Sequence, residues 1–557
     1  MRFHPFQDRL SSPPMWAVWL LALVWLLPGL FGSEPWKPDG AYTFGLISHI
    51  SATGDWVVPT LAGEPFMEKP PLFFITAALF NNLFSGWLSP PDAMRLATGF
   101  YIGLALIALS FASREIFGRG YGRWAVILLL GCIGFPVRAH QLITDTALFA
   151  GMSWGLYGLA LAPRRPWLAG IALGAGVTIT TLAKGLIGPG LLGVAALSLP
   201  MFFSRYRHVS YLKTLLGALL VGSPLPLLWM IHLYHRDPVL FRIWWWDNNF
   251  GRFFGANHLG PRAERGFYFK LIPWYGLPAW PLAIFGAWRA ARRGHLARLA
   301  APFTLFVMGF LVLSVSADAR ELYAMPLLAP LVVLAVAGVL PCAELRRMGR
   351  GFWFLLALLV LGALLLGGFA LATGLPKPVY GWMGQSFVGW TPHWVVGAWI
   401  AALIALICLG LLWRVAPMQR LSGSLWRWSV LFTGIWAMLG TLFLPALDLQ
   451  MGYRHPFSQL RPWLLQAQQT DCVASMRLGE PQRALLAYYA ATVTRRIESR
   501  PDAGQCRWLL IQSENAWRPA GLEGVAPQVV VSRPGDSRER YPLYYLPGTV
   551  GQLLRGK

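Results

Sequence analysis

Residues 38–71 read PDGAYTFGLISHISATGDWVVPTLAGEPFMEKPP and lie between the first long apolar run and the next. Asp39 stands at a predicted helix start, ahead of Phe44, Leu46, Ile47 and Ile50 at helical spacing. Glu68 and Lys69 close the stretch, and Pro70-Pro71 fixes the start of the next helix and so the direction of that pair. Two carboxylates and a lysine held at a bilayer surface suit work on a lipid carrying a phosphate, for which lysine is a point-charge partner.

The surrounding chain supplies the bilayer. Of 557 residues 56% are hydrophobic, and apolar runs near twenty residues recur from Pro14 to Pro445. Runs of that length cross about 30 Å of hydrocarbon, so the fold class is an all-α polytopic membrane protein. The run from Pro14 to Phe31 lacks a small-residue cleavage site and precedes many more spans, which makes it a first helix and not a signal peptide. A net charge of +23 invites a nucleic-acid partner. The basic residues lie mainly in short loops between apolar runs, however, where they set topology, so no nucleic acid is expected.

Thirteen spans are predicted, at about 15–33, 93–113, 121–138, 144–162, 166–182, 186–203, 212–233, 271–290, 299–317, 322–341, 352–374, 391–413 and 425–446. Six of the loops between them are basic: Arg114/Arg119/Arg123, Arg164/Arg165, Arg205/Arg207/Lys213, Arg289/Arg292/Arg293/Arg298, Arg346/Arg347/Arg350 and Arg414/Arg420/Arg427. These are read as cytoplasmic. Asp39, Glu68, Asp145, Lys184, the loop 234–270 and Asp318 then fall outside. The run 70–87 keeps this alternation only as an interfacial helix, and its shortness and Asn81-Asn82 favour that reading. A membrane domain over 1–447, with outer-face helices at about 39–87, is followed at 448–557 by a polar periplasmic domain. That tail reads as a small α/β fold with strands at 508–512 and 528–532. Cys472 and Cys506 can pair there if the tail is outside.

Each candidate residue has a structural reading beside the functional one. Asp39 and Asp145, the latter in QLITDTALFAG (141–151), can serve as helix caps; ionised at a membrane surface, either can also act as a base. Lys69 can snorkel to headgroups or hold a phosphate. Lys184, in TLAKGLIGPG (181–190), sits on the side where topology does not call for a cation. The loop 236–270 carries Arg236, Arg242, Arg252, Arg262, Arg265 and Lys270 around Trp244-Trp245-Trp246, and serves either as a headgroup-binding loop or as a phosphate-binding wall. Glu68 and His258 are a two-member candidate for a divalent metal (Zn, Mg or Mn), short of the three protein ligands usual for zinc.

Taken in order, PDGAY, Thr53-Gly54-Asp55-Trp56, VVPTLAGEPFMEKPP, Asp145, Ala183-Lys184-Gly185 and Glu321-Leu322-Tyr323-Ala324-Met325-Pro326 resemble the polyprenyl-phosphate-sugar-dependent membrane glycosyltransferases. That family, of GT-C fold, embraces lipid A aminoarabinose transferases and, more distantly, protein O-mannosyltransferases. The resemblance implies about thirteen spans, outer-face juxtamembrane helices and a periplasmic C-terminal domain. It places Asp39 and Asp145 at the catalytic acidic positions, and Lys69 and Tyr323 near the donor phosphate; Lys184, Arg262 and Arg265, read from their place on the outer face, join them as donor-phosphate candidates. Glu68 and His258 fall at the metal position. The chain departs from the family at Gly40 and Tyr42, where relatives carry an acidic residue and then an arginine.

The implied function is inverting transfer of a sugar, of which 4-amino-4-deoxy-L-arabinose is one candidate. The donor is an undecaprenyl-phosphate-linked sugar and the acceptor is lipid A or another envelope molecule, at the outer face of the bacterial inner membrane. Protein O-glycosylation is the alternative acceptor chemistry. A lipid transporter or flippase calls for charged or broken-helix sites at mid-membrane and for inverted repeats, whereas here the acids cluster at one surface and no repeat is evident.

Overall fold

The computed structural model describes residues 12–256, 264–339, 350–415, 420–515, 517–519, 521–522 and 524–555; Cys342, Arg346 and Arg347 lie outside them. The protein is a multi-pass helical membrane protein, and each of the thirteen expected segments carries helix. Among the described residues seven helices have both the length and the apolarity to cross a bilayer: Pro90–Phe117, Pro166–Lys184, Val209–Arg236, Glu321–Val339, Gly351–Thr373, Val396–Arg414 and Ser422–Met451. Glu321–Val339 is buried nearly throughout, whereas Gly351–Thr373 and Val396–Arg414 turn Leu355, Leu358, Leu359, Ile400, Leu403 and Ile407 outward. So broad an apolar face belongs against lipid chains.

The N-terminal half supplies the elements that carry the site. They are α1 (Met15–Leu26), α2 (Asp39–Thr53), α3 (Leu72–Phe84), α4 (Pro90–Phe117), α5 (Tyr121–Leu130), α6 (Phe135–His140), α7 (Asp145–Leu161), α8 (Pro166–Lys184) and α9 (Ile187–Phe202). A two-stranded hairpin, β1 (Thr60–Leu61) with β2 (Glu64–Pro65), links α2 to α3. At 13 residues, α3 is about 20 Å long, too short for about 30 Å of hydrocarbon.

Two expected spans, 121–138 and 271–290, are broken, and their breaks satisfy each other. Between α5 and α6 the Ile133 and Gly134 N–H groups donate to the carbonyls of Leu277 and Tyr275, each at 3.0 Å. A Cβ at Gly134 would lie 2.0 Å from the Tyr275 ring, so only glycine permits the approach. Irregular backbone survives within a membrane protein where neighbouring protein supplies its hydrogen bonds.

α7 and α8 pack through small residues. A Cβ on Gly176 would fall 2.6 Å from the Gly151 carbonyl oxygen, and one on Gly158 2.8 Å from that of Ala169. Close backbone approach of this kind holds membrane helices together by dispersion. Because the two helices run antiparallel, Asp145 at the start of α7 and Lys184 at the end of α8 meet at one end of the bundle.

The last span continues to Met451, and the tail then opens with a helix, Arg454–Thr470. Behind it lies a mixed sheet of β3 (Val473–Met476), β4 (Arg495–Arg496), β5 (Trp508–Ile511), β6 (Ser513–Glu514), β7 (Val529–Ser532) and β8 (Glu539–Tyr545), ordered β4-β3-β5-β8-β6 with β7 also on β8. β3 runs parallel to β4 and β5, while β8 is antiparallel to its neighbours. The expected strands at 508–512 and 528–532 correspond to β5 and β7. β3 was not foreseen because VASM has too few residues to show alternation.

Cys472 and Cys506 form a disulfide with 34 residues of separation. Closing a loop of that size contributes about 3–4 kcal/mol through chain entropy. Cys506→Ser should therefore leave the membrane bundle intact but open the tail, measured as a marked gain in protease cleavage between residues 454 and 555.

Candidate active site

Asp39 opens α2 and Asp145 opens α7, yet neither carboxylate accepts a backbone N–H among the described hydrogen bonds, so neither serves as the cap that its position suggests. Both turn instead to cations. The Asp39 carboxylate accepts from the Tyr42 hydroxyl at 2.6 Å and lies 3.7 Å from Lys69 Nζ, which in turn donates to the Tyr42 oxygen. Asp145 is ion-paired with Lys184, whose Nζ sits 4.6 Å above the Tyr323 ring. Lys184 is followed by Gly185 at φ +78°, a left-handed turn in which a Cβ would also strike the Asn249 side chain at 2.4 Å. That turn ends α8 on its lysine.

A third group comes from the loop after Val209–Arg236. Arg252 pairs with Glu68, lies 2.9 Å from Asp318 Oδ2 and donates to the Tyr323 hydroxyl at 3.2 Å. These residues border one cavity of about 410 Å³. Its polar end holds Asp39, Glu68, Lys69, Lys184, Arg252, Asp318, Arg320 and Tyr323; its apolar wall comes from Leu191 and Val194 of α9 and from Val312 and Leu313. Lys69, Lys184 and Arg252 each have a carboxylate partner. Arg320 has none among the described residues, and its Nε is buried without a hydrogen bond.

Charge decides protonation here. Burial pushes the Asp39 carboxyl upward, but Lys69, the Tyr42 hydrogen bond and then Lys184 and Arg320 outweigh it and hold the group below the usual carboxylate range. Glu68 follows the same logic: burial opposes ionisation, and Lys69 and Arg252 prevail. Burial, then Asp39 and Glu68, drive the Tyr42 phenol far above its ordinary value, so it remains a donor. The site thus presents an ionised carboxylate, oriented by a neutral phenol, at the rim of a cationic, partly apolar cavity.

Against known proteins, no family model matches the chain. It is 28% identical over 426 residues to undecaprenyl phosphate-alpha-4-amino-4-deoxy-L-arabinose arabinosyl transferase 1 of Sodalis glossinidius (strain morsitans), covering 72% of this chain and 71% of that one. It is 24% identical over 569 residues to transferase 2 of that name from Pseudomonas fluorescens, covering 97% and 88%. Among solved structures it superposes on ArnT from Cupriavidus metallidurans bound to undecaprenyl phosphate with a TM-score of 0.65 at 18% identity, covering 95% of this chain and 97% of that one. On the apo state of that protein the TM-score is 0.66 at 19% identity, with 97% and 98% covered. The chain is thus similar over most of its length to these transferases, and its fold is that of ArnT.

Within this fold, Asp39, Glu68, Lys69, Lys184 and Tyr323 border the cavity, and Asp145 reaches it through Lys184. Arg265 is exposed and does not line it. His258 and Arg262 lie outside the described residues. Among the described residues no three histidine, cysteine or acidic side chains converge on a metal position, and Glu68 is engaged by Arg252.

Sequence reasoning did not assign Tyr42, Arg252, Asp318 or Arg320 to the site. Arg252 was one of six basic residues in its loop with nothing to set it apart. Tyr42 did leave a signal, as the departure from the family pattern. Asp39→Asn should accumulate as folded protein yet lower transfer by about 100-fold or more, the scale of losing general-base assistance, and Asp145→Asn should lower it by releasing Lys184 from its place over Tyr323. Tyr42→Phe should cost about 10–100-fold, since one hydrogen bond to a charged group is worth about 1.5–3 kcal/mol. Initial rates with purified protein check all three.

Proposed function

We propose that the protein transfers 4-amino-4-deoxy-L-arabinose from undecaprenyl phosphate to lipid A, with inversion, at the periplasmic face of the bacterial inner membrane. The observation that carries this reading is the cavity itself. A cluster of lysine and arginine at its polar end suits a phosphate, the apolar wall beside it suits a polyprenyl chain, and a carboxylate stands next to the phosphate position. The names of the relatives supply the sugar and the carrier. The disulfide in the tail supports an oxidising compartment, and so the periplasm.

In the reaction, an acceptor oxygen attacks the anomeric carbon, the bond from that carbon to the phosphate oxygen breaks, and undecaprenyl phosphate leaves with the electron pair. The acceptor proton passes to the Asp39 carboxylate. A phosphate leaving group is already a stable anion, so charge stabilisation matters more than protonation; Lys69, Lys184 and Arg320 provide it. This differs from glycosidases, where a carboxylic acid must protonate a poor leaving group. The donor phosphate also competes for Lys69. When Lys69 turns to it, Asp39 loses the nearest cation that keeps it weakly basic, and its affinity for the acceptor proton rises. Binding of the donor thereby prepares the base. Asp145 holds Lys184 over Tyr323, where both border the same cavity as Lys69.

The test is transfer by purified protein from synthetic undecaprenyl-phosphate aminoarabinose to lipid A, with product identified by mass spectrometry. Lys69→Ala should raise the donor KM about 10–100-fold, and Lys69→Arg should recover part of it, keeping charge but not geometry. A chelator should leave the rate unchanged. Absence of an aminoarabinose adduct with active wild-type protein and intact donor overturns the reading, and unchanged donor dependence in Lys69→Ala removes that lysine from the site.

A further inference from the structure

The tail grips the first loop at two places, each a few residues from a group that does chemistry. The first lies just before Asp39. Lys37 Nζ donates to Glu539 at 2.5 Å, and the Glu539 side chain is only 8% exposed at the end of β8. Burial opposes its ionisation, but Lys37, Tyr541 and Gln482 hold it ionised below the usual range, so the contact is a charged one. The second lies just before Lys69. Glu64, on β2 of the hairpin, pairs with Arg483 at 2.8 Å and with Arg496 at 2.9 Å. Between the two grips, the tail helix Glu480–Tyr489 lies on α2 itself: a Cβ on Gly45 would meet that of Ala484 at 2.7 Å, and Phe44 packs edge-on against Tyr488 at 4.6 Å.

Neither Lys37 nor Glu64 lines the cavity. The two contacts are separate in the first loop but meet on one tail helix, where Gln482 donates to Glu539 at 2.7 Å and its neighbour Arg483 pairs with Glu64, and they bear on different members of the Asp39–Lys69 pair. Lys37 is two residues from Asp39 in the segment that enters α2, and Glu64 is five residues from Lys69 in the segment that leaves the hairpin. Asp39 is the first residue of α2 and Lys69 lies in the irregular segment before α3, so each member of the pair sits close to a tail contact.

We infer that the C-terminal domain is a positioning device for the reaction, in which Glu539 sets Asp39 through Lys37 while Arg483 and Arg496 set Lys69 through Glu64. The inference rests on the transfer reading above for the roles of Asp39 and Lys69. It gives the two grips different kinetic signatures: the Lys37 contact governs the base and so kcat, and the Glu64 contact governs the phosphate partner and so the donor KM.

The experiment uses the full chain in lipid nanodiscs, with two measurements on each variant. Lys37→Met should lower kcat about tenfold with little change in donor KM, because a misplacement near 1 Å is costly for an oriented catalytic group. Lys37→Arg should restore most of the loss. Glu64→Gln should raise donor KM about tenfold and leave kcat nearly unchanged, since it acts on the group that binds the donor and not on the base. Backbone hydrogen exchange is followed in parallel and needs no activity. It should quicken at residues 38–43 in Lys37→Met and at residues 60–69 in Glu64→Gln, each without the other. Exchange unchanged in both variants overturns the inference whatever the transfer assay gives, as does an equal fall in kcat and rise in KM in both. Failure of the wild-type protein to transfer the sugar, with the exchange pattern as expected, instead contradicts the function assigned to the site.

Discussion

Lys69 and Asp39 stand 3.7 Å apart with only 6% and 8% of their surfaces exposed, at the edge of a helical bundle whose other surface is lipid-facing. A charge buried alone is strongly unfavourable, and a pair is tolerated when its geometry and its remaining hydrogen bonds are good. Here Tyr42 supplies the missing hydrogen bond, donating to the aspartate and accepting from the lysine. The same rule repeats around the cavity in Asp145 with Lys184, and in Glu68 and Asp318 with Arg252. Much of the surrounding architecture follows from the need to bring those partners together: α7 and α8 approach through glycines, α8 stops on Lys184, and the tail grips both ends of the first loop.

The arrangement also explains how one cavity both waits for an anion and keeps an ionised base. A lysine and an arginine left free in an apolar recess would be costly, so most of the cations hold a carboxylate until something displaces it. Arg320, with no carboxylate partner among the described residues, is the cation most available to a phosphate on arrival. Because the phosphate and the carboxylates compete for the same cations, binding and activation are coupled through charge alone. No large conformational change is needed for the coupling.

The helical segments were legible in the sequence because apolar length is a simple physical signal. All thirteen expected segments carry helix for that reason. The breaks within 121–138 and 271–290 were not legible: Gly134 and Pro278 hint at them, but only the mutual hydrogen bonds of Ile133, Gly134, Tyr275 and Leu277 make them stable. In the site, Asp39, Lys69, Asp145 and Lys184 could be singled out because a charge at the end of an apolar run is conspicuous. Arg252, Asp318 and Arg320 could not, since each lies between long apolar spans where charge is ordinary, and their role comes from convergence across more than 180 residues of chain. Arg265 shows the same limit from the other side: a suitable residue in a suitable loop, exposed and not part of the cavity lining.

The exchange of partners at Lys69 can be observed directly by determining the structure of the full chain in lipid nanodiscs with undecaprenyl phosphate bound. The expected result is a phosphate oxygen within hydrogen-bonding distance of Lys69 Nζ, the polyprenyl chain along Leu191, Val194 and Val312, and the Asp39 carboxylate retaining only Tyr42 as a close donor. A phosphate bound elsewhere, with the Lys69–Asp39 pair undisturbed, would contradict the coupling of donor binding to the base.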